Sequence, residues 1–350
     1  MDSALHENPG CTVPEPPTRR VYRKPLSPKE LLHGILRGDR LVLARAITLI
    51  ESARPADRAL AENLIEDCLP HSGDSIRVGI TGVPGAGKST LIEALGHMLT
   101  DRRQKVAVLA VDPSSSLSGG SILGDKTRMT ELARSDLAFI RPSPSRGTLG
   151  GVAQRTREVM LLCEAAGFRN ILIETVGVGQ SETAVRNMTD FFLLIAISGA
   201  GDELQGIKRG VMEIADLVAV NKADGENQQP AEFARSQIAN ALHFFPVSPS
   251  GWIPRAQTCS ASTGAGIAEL WETILEHNKH TRSNGWRDFV RREQMRTAMH
   301  SAIEEELRRR FESTPGIPER LKELDHSVVT GKITPFAAAR ELLNLYSQKK

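Results

Sequence analysis

The chain has 350 residues, 25% charged and 40% hydrophobic, with a formal net charge of +2. That is enough for one large or two modest soluble domains, and the charge balance calls for neither a nucleic-acid nor a membrane partner. The four cysteines, Cys11, Cys68, Cys163 and Cys259, lie far apart with no C-x-x-C pair, which argues against a disulfide framework or zinc site and fits a reducing compartment.

Residues 1–26 hold Pro9, Pro14, Pro16, Pro17 and Pro25 and few large apolar side chains, the composition of a flexible tail. There is no apolar signal core, and the longest apolar run, Phe191–Ile197, is far too short to span a bilayer. Arg19, Arg20 and Arg23 are what a mitochondrial presequence would carry, but Asp2, Glu7 and Glu15 oppose it. The expected compartment is the cytoplasm if the source is bacterial, with the mitochondrial matrix the lesser alternative. Residues 27–74 read as a helical lead-in, with Leu31, Leu32, Ile35 and Leu36 on one face and Leu41, Leu43, Ala44, Ile47 and Ile50 on another.

From 75 to 283 strands and helices alternate. Candidate strands are 76–81, 106–112, 138–141, 170–175, 191–197, 216–221 and 256–260, with helical patterns such as 151–166 and 231–242 between them. Runs such as Val106–Val111 are apolar throughout, as in strands buried on both faces. The pattern predicts an α/β fold with a doubly wound, mostly parallel sheet, whose ligand sits beyond the C-terminal strand ends. Polar residues gather at those ends: Asp112-Pro113-Ser114-Ser115, Glu174-Thr175-Val176-Gly177, Asn221-Lys222-Ala223-Asp224 and Ser260-Ala261-Ser262.

The organising stretch is Gly82-Val83-Pro84-Gly85-Ala86-Gly87-Lys88-Ser89-Thr90, a match to G-x-x-x-x-G-K-[ST] between a predicted strand and a predicted helix. Its glycines let backbone N–H groups form a phosphate nest, to which the helix adds its N-terminal partial charge. Lys88 is expected to reach the β- and γ-phosphates and the Ser89 hydroxyl to bind Mg²⁺. Asn221-Lys222-Ala223-Asp224 after a strand is the guanine-reading pattern of GTPases. The Asp carboxylate accepts two parallel bonds from guanine N1–H and the exocyclic amine, a donor pair that adenine lacks. Ser260, Ala261 and Ser262 on the next strand suit contact with the guanine oxygen. Glu174, Asp112 and Asp125 join Ser89 as candidate metal residues, and the Gly177 N–H is placed to meet the γ-phosphate. Each carboxylate alone is equally an N-cap or a solvated loop residue; the set carries the signal. Val178 occupies the place where signalling GTPases often carry the Gln that orients water, with Gln180 two residues on. Lys88, Glu174 and Gln180 are therefore the candidate catalytic residues, and slow hydrolysis without a partner is expected. The glycine-rich segments 143–151 and 199–208 are candidate switches or ordinary connections.

Residues 284–350 are helical without strands. Met295, Met299, Ile303, Leu307 and Phe311 recur at every fourth position, and Phe336, Ala339, Leu342, Leu343 and Tyr346 mark a further helix. Such an extension has too little core to stand alone and must pack on the main domain, on a second copy or on a partner, of which self-association is the favoured expectation, partly on the resemblance given next.

These strings together resemble the MeaB-type GTPases, called methylmalonic aciduria type A proteins in animals and transport kinases in older usage. The resemblance runs from about residue 30 to 345 and rests on Gly79–Thr90, Ala110–Ser115, Gly120–Met129, Glu174–Glu182 and Asn221–Asp224. It implies a GTP- and Mg²⁺-dependent chaperone of an adenosylcobalamin-dependent acyl-CoA mutase, usually methylmalonyl-CoA mutase, that gates cofactor loading and protects the mutase. It also implies a homodimer joined through C-terminal helices, and a segment around Asp202–Lys208 that senses the mutase. Two other readings differ in class. A small-molecule kinase would use the phosphate loop but leave Asn221–Asp224 without a purpose. A nickel-delivery GTPase would need a metal cluster that the Cys and His spacing does not offer.

Overall fold

Seven strands, β1 (Ile76–Gly82), β2 (Val106–Val111), β3 (Ala138–Arg141), β4 (Asn170–Thr175), β5 (Phe191–Ile197), β6 (Leu217–Asn221) and β7 (Arg255–Thr258), make one sheet. The computed structural model describes residues 26–52, 54–111, 129–142, 149–175, 181–199 and 209–348. Strand order is β3-β2-β4-β1-β5-β6-β7, and every pairing is parallel. The mostly parallel sheet read from the sequence is thus wholly parallel among the described residues. In chain order the helices are α1 (Pro28–Leu36), α2 (Arg40–Ile50), α3 (Pro55–Cys68), α4 (Lys88–Asp101), α5 (Thr130–Arg134), α6 (Leu149–Ala165), α7 (Ser181–Arg186), α8 (Arg209–Glu213), α9 (Gln228–Leu242), α10 (Ile267–Ser283), α11 (Trp286–Glu312), α12 (Ile317–Val329) and α13 (Pro335–Gln348).

A parallel sheet must be covered on both faces, and strand alternation divides its side chains between two cores. Ala107, Leu109, Val111, Ile171 and Ile173 meet α1, α2, α3 and α6 on one face. Val106, Val108, Leu172, Leu193 and Ile195 meet α4 and α10 on the other. Under β5 and β6, Leu194, Ala196, Val218 and Val220 pack on α8 and α9.

The lead-in is three helices rather than one pattern. Ser27 and Glu30 form a reciprocal capping box at the start of α1. Gly38, with φ of 75°, breaks the chain, and Asp39 caps α2 through Leu41 N and Val42 N. Leu31, Ile35, Leu43, Ala46, Ile47 and Ile50 are buried. Leu41 does not share their face and is 71% exposed. It stands about 200° round the helix from Leu43, at 100° per residue.

The C-terminal region departs further from expectation, with three helices where two were foreseen. Helix α11 has 27 residues, a rod of about 40 Å. Its Met295, Met299, Ile303 and Leu307 are 62%, 54%, 48% and 53% exposed. Phe311, the last of that stripe, packs with α12 and α13 around buried Ile317, Leu324, Ala338 and Leu342. Within the arc of that stripe, α11 also meets α3 through Arg58, which donates to Glu306 at 2.8 Å.

The root of α11 is anchored under the sheet. Arg291 reaches both Asp190 oxygens, at 2.7 and 2.6 Å, and donates to the carbonyls of Ser75 and Gly73. Asp190 also accepts from Arg77 N at 3.0 Å, while the Arg77 guanidinium engages Glu164 at 2.8 and 3.0 Å. Burial alone would raise the Asp190 carboxyl, but Arg291 and then Arg77 hold it below the ordinary aspartate range. Gly73 and Ser75 precede β1 and Asp190 precedes β5, so one cation ties the arm to two adjacent strands of the sheet. Removing one partner of a buried pair strands the other charge. Arg291→Ala is expected to cost about 3–5 kcal/mol in denaturant unfolding of the purified chain; a loss under about 1 kcal/mol, the value of an exposed pair, would contradict this anchoring.

Candidate nucleotide site

The phosphate loop runs from the end of β1 into α4. Gly87 is the N-cap of α4, with φ of 85° and no side chain to occupy the N–H groups of the first turn. A helix start bare of a capping side chain leaves those donors for an anion. Lys88 Nζ donates to Gly82 O at 2.8 Å and Val83 O at 3.3 Å, which places the ammonium at the mouth of its own loop. Ser89 Oγ donates to Glu174 Oε1 at 3.1 Å. Glu174 arrives from the neighbouring strand, in register with Ile80 of β1 and Ala110 of β2, and is buried. Just beside it Thr175 and Thr81 join hydroxyls at 2.8 Å across β4 and β1.

Two strands away, β6 delivers the second cluster. Asn221 is its last residue and is buried. Its Nδ2 donates to Ala86 O at 2.8 Å, inside the phosphate loop, and its Oδ1 accepts from Ala261 N at 3.0 Å. Cys259 Sγ lies against the same oxygen at 3.6 Å, and burial pushes this thiol up to about 12. Asp224 Oδ2 accepts from Ser262 Oγ at 3.0 Å and from Ser260 Oγ. Those bonds, Ser260's first, hold the Asp224 carboxyl below its ordinary range, so it presents as an anion. Lys222 sits between Asn221 and Asp224 with φ of 61°. Its carbonyl accepts from Asn227 Nδ2 at 2.6 Å.

The residues expected from sequence therefore fall into two groups that touch. Gly82, Val83, Pro84, Gly85, Ala86, Gly87, Lys88, Ser89 and Thr90 form the loop, with Glu174 against it, and Asn221 links them to Lys222, Asp224, Ser260, Ala261 and Ser262. One detail differs from expectation: the Ala261 N–H is engaged by Asn221. Asp112, Asp125, Gly177 and Gln180 lie outside the described residues, as do residues 1–25, residues 143–148 of the first glycine-rich segment and residues 200–208 of the second. Among the described residues no three His, Cys, Asp or Glu side chains group as for a metal ion. The Ser89 hydroxyl beside the Glu174 carboxylate offers two hard oxygens, a donor set that suits Mg²⁺ completed by phosphate and water. Sequence reasoning missed Asn227, which stands ahead of the predicted helix 231–242, and the pairing of Thr81 with Thr175 across neighbouring strand ends.

A phosphate loop on the central strand of a parallel sheet, closed by an Asn-Lys-x-Asp turn, defines the class of phosphate-loop nucleotide hydrolases. The profile described as "Methylmalonyl Co-A mutase-associated GTPase MeaB" matches residues 43–316. The chain is 45% identical over 313 residues to GTPase ArgK of Escherichia coli, covering 89% of this chain and 95% of that one. It is 42% identical over 348 residues to the mitochondrial methylmalonic aciduria type A homolog of Mus musculus, covering 95% and 84%. A solved structure of a protein named as a LAO/AO transport system kinase superposes with a TM-score of 0.71 at 38% identity, over 91% of this chain and 97% of that one. The chain belongs to the MeaB family and is a GTPase.

Gly87 tests the junction of the two clusters. A Cβ there would meet Asn221 Nδ2 at 2.6 Å, whereas one on Gly85 would meet nothing within 4 Å. Both have positive φ, 85° and 79°, so both Ala variants share the left-handed penalty of about 1–2 kcal/mol. Gly87→Ala is expected to be less stable than Gly85→Ala by a further ~1–3 kcal/mol, the usual cost of overpacking, measured by denaturant unfolding. Equal losses would mean that Asn221 yields freely.

Proposed function

We propose that this GTPase is a chaperone that gates adenosylcobalamin loading of an adenosylcobalamin-dependent acyl-CoA mutase and protects it, with methylmalonyl-CoA mutase the first client to test. The observation that carries the nucleotide half is the Asn221 bridge, which sets an Asn-Lys-x-Asp turn against a phosphate loop. The family description and the mouse relative's name support the client.

In this reading Lys88 and the backbone of Gly82–Thr90 bind the β- and γ-phosphates. The Asp224 carboxylate, polarised by Ser260 and Ser262, takes the guanine N1–H and amine, while the Lys222 stem lies along the base. Ser89 and Glu174 hold Mg²⁺, with Asp112 and Asp125 as further ligands; the ion supplies charge neutralisation at the phosphates when bound. Gly177 offers its N–H to the γ-phosphate. Gln180 is the nearest substitute for the water-orienting Gln that Val178 replaces, so turnover is slow until a partner supplies or positions the missing group, an effect of ~10³–10⁵ in other GTPases. The compartment that fits is the bacterial cytoplasm.

We also propose that two copies join through the C-terminal helices. Met295, Met299, Ile303 and Leu307 form an apolar stripe that stays about half-exposed in the single chain. Apolar faces of this kind are stabilised by a partner surface. Ile303→Glu is expected to shift the chain from dimer to monomer in sedimentation; a wild-type monomer, or a variant that remains dimeric, would contradict the assignment.

The kinase reading keeps one observation in its favour, the name carried by the superposed solved structure. Phosphate release distinguishes the two. GTP hydrolysis by the purified chain should be slow, exceed ATP hydrolysis, and rise by at least about tenfold with methylmalonyl-CoA mutase added, a modest figure beside known partner effects. Turnover unchanged by that mutase would remove it as the client. Phosphate appearing in a small acceptor would install the kinase.

A further inference from the structure

Asn227 stands at the N-terminus of α9, where an Asn side chain ordinarily accepts from a first-turn N–H. It makes no such cap. Its amide points the other way and is engaged at both ends. Nδ2 donates to Lys222 O at 2.6 Å, and Oδ1 accepts from Ser198 Oγ at 2.6 Å. Both partners matter. Lys222 is one of two non-glycine described residues with positive φ, and it sits inside the Asn-Lys-x-Asp turn. Ser198 is the first residue beyond β5, whose Ile197 is in register with Asn221 of β6.

The rest of the turn is already fixed by other contacts. Asn221 is held by Ala86 and Ala261, Ala223 N donates to Cys259 O at 2.9 Å, and Asp224 is held by two serines. The peptide after Lys222 joins these fixed points in a conformation that costs an L-residue energy. Asn227 supplies the donor that fixes its carbonyl.

We propose that Asn227 is a positioning residue for guanine recognition: it holds Lys222 in the left-handed conformation and ties the base-reading turn to the end of β5. This rests on the guanine assignment of Asn221–Asp224 and extends it. Without the Lys222 bond the turn relaxes, the Lys222 stem leaves the base plane and the Asp224 edge loses its register. Because Ser198 shares the same amide, displacement of the chain at the end of β5 is felt directly in guanine affinity.

Asn227→Asp separates this role from a structural one. An Asp is as good an N-cap as Asn and still accepts from Ser198, but it has no donor for Lys222 O. In the full chain, the Kd for a fluorescent GDP analogue should rise about tenfold, equivalent to ~1.4 kcal/mol. KM for GTP should rise more than kcat falls. The unfolding midpoint without nucleotide should fall only slightly, as for the loss of one exposed hydrogen bond. Ser198→Ala, which frees the other end, should raise Kd by about two- to threefold, in line with one weak neutral bond. Wild-type GDP affinity in Asn227→Asp would overturn the proposal, as would a Kd increase accompanied by an equally lowered unfolding midpoint. Asp224→Asn provides the control on the underlying assignment. If it exchanges guanine for xanthine preference while Asn227→Asp stays silent, only the role of Asn227 falls. If it leaves guanine preference intact, the guanine assignment falls and this inference with it.

Discussion

The nucleotide site depends on one side-chain amide. Asn221 donates to Ala86 O in the phosphate loop and accepts from Ala261 N in the loop after β7. Three loops from β1, β6 and β7 thereby share a single fixed point, buried where hydrogen bonds are strong and lost partners are costly. The amide fits only because Gly87 carries no side chain: a Cβ would come within 2.6 Å of Asn221 Nδ2. The phosphate loop and the Asn-Lys-x-Asp turn are thus parts of one geometry. Backbone freedom at one glycine is the condition for both.

The opposite end of the sheet carries a second fixed point of different chemistry. Arg291 and Arg77 satisfy Asp190 and Glu164 below β1 and β5, and Gln294 adds a bond to Thr189 O at 2.8 Å. A long helix would otherwise leave the nucleotide-binding body through a short turn at Asn284 and Gly285. The buried ion pairs instead set its direction, and Arg58 with Glu306 holds it near α3 further along. β1 and β5 run from this anchor to the nucleotide side of the sheet. A strand pair fixed at both ends is a stiff support for the loops it carries.

The sheet is legible in the sequence because its signals are local. Apolar runs locate β1 to β6 within a residue or so of their observed limits, and the phosphate-loop spacing locates the turn into α4. They place β7 a little late, since Arg255–Thr258 is half-exposed edge sequence with no apolar run. Periodicity assigns Leu41 to a buried face wrongly, because the buried arc of α2 is set by Leu43, Ala46, Ile47 and Ile50, and Leu41 stands about 200° round the helix from Leu43. Helix α12 goes unforeseen, although Ile317, Leu321, Leu324 and Val328 recur at helical spacing there. The long-range chemistry is legible only in part. Nothing local distinguishes Arg291 from the other arginines of α11, or ties Asn227 to the end of β5, because those partners lie 101 and 29 residues away.

The central claim is that the Asn221-linked turn reads guanine. Calorimetric titration of the purified chain with GDP and with ADP, each with Mg²⁺, tests it most directly. A carboxylate that a bound base covers must be satisfied by paired donors, so a base without them is rejected strongly, and GDP should bind more tightly by roughly a thousandfold or more. Comparable affinities for GDP and ADP would contradict it.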